Sequence, residues 1–304
     1  MVRIEWQSHW QNSIWYALAA ELTRFGFRKD DRMAPHAAKQ APELFEALVD
    51  YLRPSPKLLI RLLRRLATHS EWEPLPVPSE HQIASIIADD LVDVRLSRLY
   101  FYHLVPRLQR LFAAMNEAVP SLADEMVTYT HVLRRRWEQE DPGRLDQVAQ
   151  CIPLNLRLDH VNVFPVFPVS GGGGWVDSTT QSVVIEAVPI TLQQEPPEAR
   201  RLIWFIAQLA VQEASQQLSP ETRPLLKYGL IPAVLAAAKL KDWEEFGVHH
   251  IYDCLRFWCP EFGDEPFDAA ATIWTWWQQV DSHREDWLNG LHCLQISRER
   301  WDDC

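Results

Sequence analysis

Cysteine is scarce and unpatterned in this chain. Cys151, Cys254, Cys259, Cys293 and Cys304 form no Cys-x-x-Cys, so neither a zinc ribbon nor a thioredoxin-type redox site is supported. Long apolar runs are also missing. No stretch approaches the roughly 18 apolar residues that span a bilayer. The opening segment MVRIEWQSHW has no uninterrupted apolar core of signal-peptide length. A cytoplasmic protein without a membrane segment is the expectation. Basic charge is thin in the second half: residues 151–304 carry 11 Lys+Arg against 21 Asp+Glu, a balance of −10, whereas residues 1–150 carry 19 against 20, a balance of −1. Phosphate binding needs the opposite sign, which argues against a nucleic-acid surface there and leaves room for a basic partner, although the usual meaning of such acidity is plain solubility. The small basic clusters do not change this. Arg61, Arg64 and Arg65 share one helix and Arg134 to Arg136 end another, where solvation or a favourable helix C-terminus explains them.

What the chain does contain is helix-forming pattern punctuated by proline. With 47% hydrophobic residues in 304, real cores are affordable in one large domain or two modest ones. Ile14, Leu18 and Leu22 are in helical register within 10–25. Pro42 opens a helix to Leu52, and Pro56 opens another through KLLIRLLRRLATH, at the first-turn position where proline loses no bond. WEPLPVPSE reads as a rigid connector. Ser79 then caps a long helical stretch from Glu80 to Ala118, which Pro106 should kink or divide. Ser121 caps the next helix, which ends before Asp141-Pro142-Gly143.

Near residue 158 the pattern changes. LDHVNVFPVF, then four glycines, then WVDSTTQSVVIEAV predict a β-hairpin with Gly171–Gly174 as its turn. Pro165 and Pro168 lack backbone donors, so the first strand should lie at a sheet edge or break there. The chain then returns to helix. The expected fold is α+β: predominantly α-helical, with a small antiparallel β-hairpin inserted mid-chain. Residues 1–150 are read as a helical lobe and 151–304 as the hairpin plus helices, across a soft boundary that also admits a single domain.

The order hairpin, helix RRLIWFIAQLAVQEA, then a helix opened by KYGLIPAVLAAA resembles the frame of a gluzincin-type (zincin) metallopeptidase over residues 158–239. That family places His-Glu-x-x-His on the first helix and a third ligand, in Glu-Gly-Leu-Ala, on the second. Here Ala207-Gln208-Leu209-Ala210-Val211 and Tyr228-Gly229-Leu230-Ile231 stand at those places. The resemblance thus implies a degenerate frame, with Ala207, Gln208, Val211 and Tyr228 where zinc ligands and general base would be. Whatever the ancestry, side chains of one or three carbons at 207 and 211 offer no nitrogen, oxygen or sulfur to a metal. Leu202, Ile203, Trp204, Ile206, Ala207, Ala210 and Val211 fill a broad apolar arc, and Gln208, Gln212, Ser215 and Gln216 a narrow polar stripe.

Other constellations compete less well. The glycine run leads into a strand with no lysine after it, so a hairpin turn suits it better than a phosphate cradle. In EEFGVHHIYDCLRFWC, His250 and Cys254 lie at i and i+4, as do His249 and Asp253. These are competent ligand types, but two per face is short of a usual metal set. A nucleophilic Cys254 would need exposure in a positive setting, and its neighbourhood is acidic. Ile273, Trp274, Trp276, Trp277 and Val280 make one core-facing stripe, with a partner groove as the other reading. No catalytic residue and no cofactor is assigned. The expected function is a non-catalytic protein-interaction or regulatory role. The alternatives are an enzyme with its site near His249–Cys254, or a helical adaptor without peptidase ancestry.

Overall fold

The computed structural model describes residues 2–22, 56–73, 75–91, 98–139, 143–152, 158–167, 172–187, 198–216, 218–242, 246–259, 262, 266–281 and 287–294. The helix expected from Pro42 to Leu52 lies outside them. Two compact units emerge, one formed by residues 7–130 with 164–171 and the other by 1–6, 131–163 and 172–304. They are interleaved along the chain rather than separated by a single boundary.

The first unit is built on α1 (Trp10–Leu22), α2 (Pro56–Ala67), α3 (Glu80–Leu91) and α4 (Arg98–Ala118). Helix α2 shows why it forms where it does. Proline at its first position costs no hydrogen bond, and Leu62, Leu63, Leu66 and Ala67 fall on one buried face while Arg61 stays exposed. That face packs on α1, whose Ile14, Trp15 and Leu18 are fully buried. Ser79 caps α3 as expected, its Oγ accepting from the Gln82 N–H at 3.2 Å. Pro106 does not divide its helix: α4 runs unbroken from Arg98 to Ala118. Of the long stretch expected from Glu80, α3 covers Glu80–Leu91 and α4 covers Arg98–Ala118, and residues 92–97 lie outside the described residues.

Helix α5 (Leu122–Gln139) follows, and then the second unit's α6 (Arg144–Cys151), β2 (His160–Val166), β3 (Gly174–Asp177), β4 (Ser182–Glu186), α7 (Glu198–Ala210), α8 (Gln212–Ser215), α9 (Leu226–Asp242), α10 (Val248–Trp258), α11 (Phe267–Asp281) and α12 (Trp287–Gly290). The N-terminal β1 (Arg3–Trp6) also belongs here. The fold is α+β and predominantly helical, but the sheet is mixed and four-stranded among the described residues, in the order β1-β2-β4-β3.

Three expectations are corrected by this sheet. Arg3–Trp6, expected within the helical lobe of residues 1–150, is a strand and pairs in parallel with His160–Val163. Strand β2 is therefore internal rather than at an edge, and of the two expected outcomes it takes the other, ending at Val166 just after Pro165. Pro165 is tolerated because it lies beyond Val163, the last residue with a β1 partner, so its missing N–H costs no bond on that side. The antiparallel hairpin is β3–β4, which pairs Gly174 with Ile185 and Asp177 with Ser182. Its turn is the segment 178–181, closed by Gln181 at φ +47°, and not the glycine run.

Candidate functional site

The glycine run serves a purpose its sequence does not announce. Strand β4 ends at Glu186, a carboxylate with no exposed surface. One of its oxygens, Oε2, accepts from the Gly172 N–H at 2.7 Å and the Gly173 N–H at 3.1 Å, and the Glu186 N–H donates back to the Gly173 carbonyl at 3.1 Å. Consecutive glycine N–H groups aimed at one oxyanion are the geometry of an anion cradle. Here the anion is the chain's own side chain. The adjacent Arg201 is buried at the start of α7 and donates through Nη2 to the Glu186 carbonyl oxygen. Gly172 has φ +148°, and a Cβ there would drive into the Phe257 carbonyl oxygen of α10, so only glycine fits.

Changing Glu186 to Gln keeps the shape and one carbonyl acceptor but removes the charge. Charge-assisted bonds to the two N–H groups become neutral ones, and one amide proton donor must be housed in a buried site. A loss of about 1–3 kcal/mol in urea unfolding is expected, and an unchanged midpoint would show that the carboxylate charge is not needed.

Helix α7 packs on β3, β4, α6 and α9. Ala207 and Val211 are 0% and 1% exposed, and the four residues Leu202 to Phe205 are buried with them. The helix is wrapped on nearly all sides, as its broad apolar arc implies. It is not continuous through 198–215, however. Val211 forms a turn between α7 and α8, bridged by Val211 N–H to Ala207 O at 3.0 Å and Ser215 N–H to Val211 O at 2.8 Å. Within the expected polar stripe, Gln216 is exposed and Gln208 and Gln212 are half-buried, but Ser215 is buried and its Oγ donates to the Gln212 carbonyl at 2.6 Å.

Helix α9 lies against α7, tied by Trp204 Nε1 donating to the Lys227 carbonyl at 2.6 Å. The next residue, Tyr228, is 1% exposed. Its ring meets Phe262 edge-on at 5.3 Å, and the Lys227 ammonium lies 4.8 Å from its centroid. Gly229 also has a packing reason. A Cβ there would come within 2.7 Å of Leu291, 3.1 Å of Trp276 and 3.3 Å of Trp287. The four positions singled out by the zincin resemblance thus sit in packed surroundings, and three of them, Ala207, Val211 and Tyr228, are buried.

On α10 the pairs His250/Cys254 and His249/Asp253 do lie one turn apart, but their environments diverge. His249 is exposed and Cys254 is fully buried. The Gly247 N–H donates to His250 Nδ1 at 3.1 Å, so that nitrogen closes the helix start. Burial pushes the Cys254 thiol well up, with Asp253 adding to the effect and Arg200 opposing it. A thiol held in that state is a core side chain rather than a nucleophile. The Asp253 carboxyl is raised by burial against the opposing charges of His249, His250 and Arg256. Among the described residues no three or more His, Cys, Asp or Glu gather as a metal-holding group.

The tryptophan stripe faces inward as expected. Ile273, Trp276, Trp277 and Val280 are buried, Trp274 is half-buried against Phe246, and Thr275, Gln278 and Gln279 are exposed. The sequence reading missed Glu186 and the buried Arg200 and Arg201. Its available signal was an acidic residue closing the apolar run SVVIE, which in a buried strand demands internal donors. No helix of the described residues is long and apolar enough to cross a membrane. No family model, no curated protein and no solved structure matches the chain.

Proposed function

We propose that this protein is non-catalytic and acts by binding another protein, on a frame resembling a metallopeptidase that has lost its zinc ligands. The observation that carries this reading is the state of α7. The positions where the resemblance calls for imidazoles hold a methyl and an isopropyl group, both sealed in the core. A catalytic helix needs polar groups at an accessible face. This helix spends nearly its whole circumference on β3, β4, α6 and α9. The rival placement of a site at His249–Cys254 gains little from its geometry, because the strongest ligand type there, the Cys254 thiol, is inward and held protonated.

The test is reconstitution. The full chain is used for reciprocal capture, and the captured protein is purified separately and mixed back. Co-elution as a defined complex, together with no turnover of a peptide library in the presence of zinc, is the expected pair of results. Chelator-sensitive peptide hydrolysis by the isolated chain would refute the proposal.

A further inference from the structure

The N-terminal strand β1 closes one side of the sheet and leaves its own outer side open. In the order β1-β2-β4-β3, no strand lies beyond it among the described residues. Its neighbour fixes which backbone groups point where. The Arg3 N–H donates to the Asp159 carbonyl at 3.0 Å, with Arg3 beside His160 and Glu5 beside Asn162. A parallel ladder uses alternate residues of a strand, so Arg3 and Glu5 bond β2. Val2, Ile4 and Trp6 then turn their N–H and C=O groups toward the open side. An edge of this kind is a template for another strand.

The side chains alternate as well, between the two faces of the sheet. Arg3 and Glu5 share one face, where their charged ends meet at 3.2 Å with side chains 78% and 40% exposed. Val2, Ile4 and Trp6 share the other face and are half-buried. About Ile4 the edge is therefore basic on one side and acidic on the other. That charge order decides how the edge can pair.

We propose that β1 is a docking edge for a second copy of this chain, added antiparallel with Ile4 on the two-fold axis. In an antiparallel pair, residues that bond outward must face one another. Centred on Ile4, each Ile4 faces its copy and exchanges both backbone bonds, and Val2 faces Trp6 of the other copy. Arg3 then stands opposite Glu5 of the other copy, twice by symmetry. Opposite charges, an isoleucine pair and valine–tryptophan pairs are favourable cross-strand neighbours. The nearest alternative registers are not. Moving the axis to Arg3 sets arginine against arginine, and moving it to Glu5 sets glutamate against glutamate. A two-fold interface has to be self-complementary, and Arg-Ile-Glu meets its own reverse in that way. The contact owes nothing to the metallopeptidase resemblance, so it stands or falls apart from that reading.

Sedimentation equilibrium of the full chain tests it. A four-residue edge is a small interface, so the parent should show a monomer–dimer equilibrium with a Kd of about 10–100 μM. Arg3→Glu and Glu5→Arg each place like charges at both symmetry-related pairs. Each single variant should therefore dimerise roughly tenfold or more weakly than the parent. Mixing the two single variants restores opposite charges across the heterodimer, and the mixture should regain the parent's affinity. The Arg3→Glu/Glu5→Arg chain should regain it too. The mixture is decisive because a fault inside either strand would persist in it. A parent that stays monomeric up to about 300 μM would overturn the proposal. So would single variants that dimerise as the parent does, or a mixture that stays monomeric.

Discussion

Truncating Trp276 to alanine should destabilise the second unit by about 3–5 kcal/mol, the range for removing a large aromatic from a packed core. The indole is 4% exposed. It lies 5.9 Å from Trp287 and 6.4 Å from Trp277 by ring centroids, and its Nε1 donates to the Gly290 carbonyl at 2.9 Å. Its far edge approaches Gly229 of α9 closely enough that a methyl group there would be crowded. The substitution therefore opens a cavity where α9, α11 and α12 meet and also leaves a carbonyl without its donor. Urea unfolding measures the loss. Thr275→Ala, one residue away on the exposed face, should stay within about 0.5 kcal/mol. If Trp276→Ala kept full stability and lost partner binding instead, the stripe would be an interface.

The second large effect is expected at Gly172. Alanine there meets two separate penalties. A left-side φ of +148° costs a residue with a Cβ about 1–3 kcal/mol. The Cβ itself collides with the Phe257 backbone, a rigid neighbour rather than the tip of a flexible side chain, and overpacking of that kind costs about 1–3 kcal/mol more. Relief requires moving the loop, which would pull the Gly172 and Gly173 N–H groups off Glu186 and expose that carboxylate's burial cost. A total near 3–5 kcal/mol is expected. Gly247→Ala is the control, because its Cβ would meet nothing nearer than His249 Nδ1 at 3.5 Å. That change should cost less than about 1 kcal/mol, and comparable losses at the two sites would mean that the Gly172 contact is not what constrains the loop.

Much of the helical architecture was legible because its causes are local. Proline at the start of α2, the Ser79 cap of α3 and the period of Leu62, Leu63 and Leu66 each act within a turn or two of helix. The inward face of Trp276 and Trp277 follows from the same period. The sheet was less legible because its determinants are remote. Strand β1 is four residues, RIEW, and becomes a strand only by pairing with residues about 157 positions away along the chain, which no local pattern records. Four glycines are a stronger turn signal by composition than the segment 178–181, yet the hairpin closes at Gln181. The glycines instead wrap Glu186, and that partnership depends on where β4 ends and α10 passes. Of the candidate site, the lack of ligand atoms at Ala207 and Val211 could be read directly. The inward orientation of Cys254 and the half-burial of Asp253 needed the packing of α10 on its neighbours.

The most direct test of the reading that α7 and α9 form a peptidase-like frame without its metal is to restore the missing groups. Ala207→His, Gln208→Glu, Val211→His and Tyr228→Glu, combined in one chain, place ionisable groups where the parent has two buried aliphatic side chains, a half-buried amide and a packed phenol ring. Such groups are costly without a partner, so the variant should melt well below the parent when free of metal. If the two helices hold the frame's geometry, zinc binds the folded state alone and raises the melting temperature by mass action. The measurement is thermal melting of variant and parent with and without equimolar zinc. The account predicts a zinc-dependent rise in the variant and no change in the parent. A variant that zinc does not rescue, or a parent that zinc stabilises to the same degree, would contradict it.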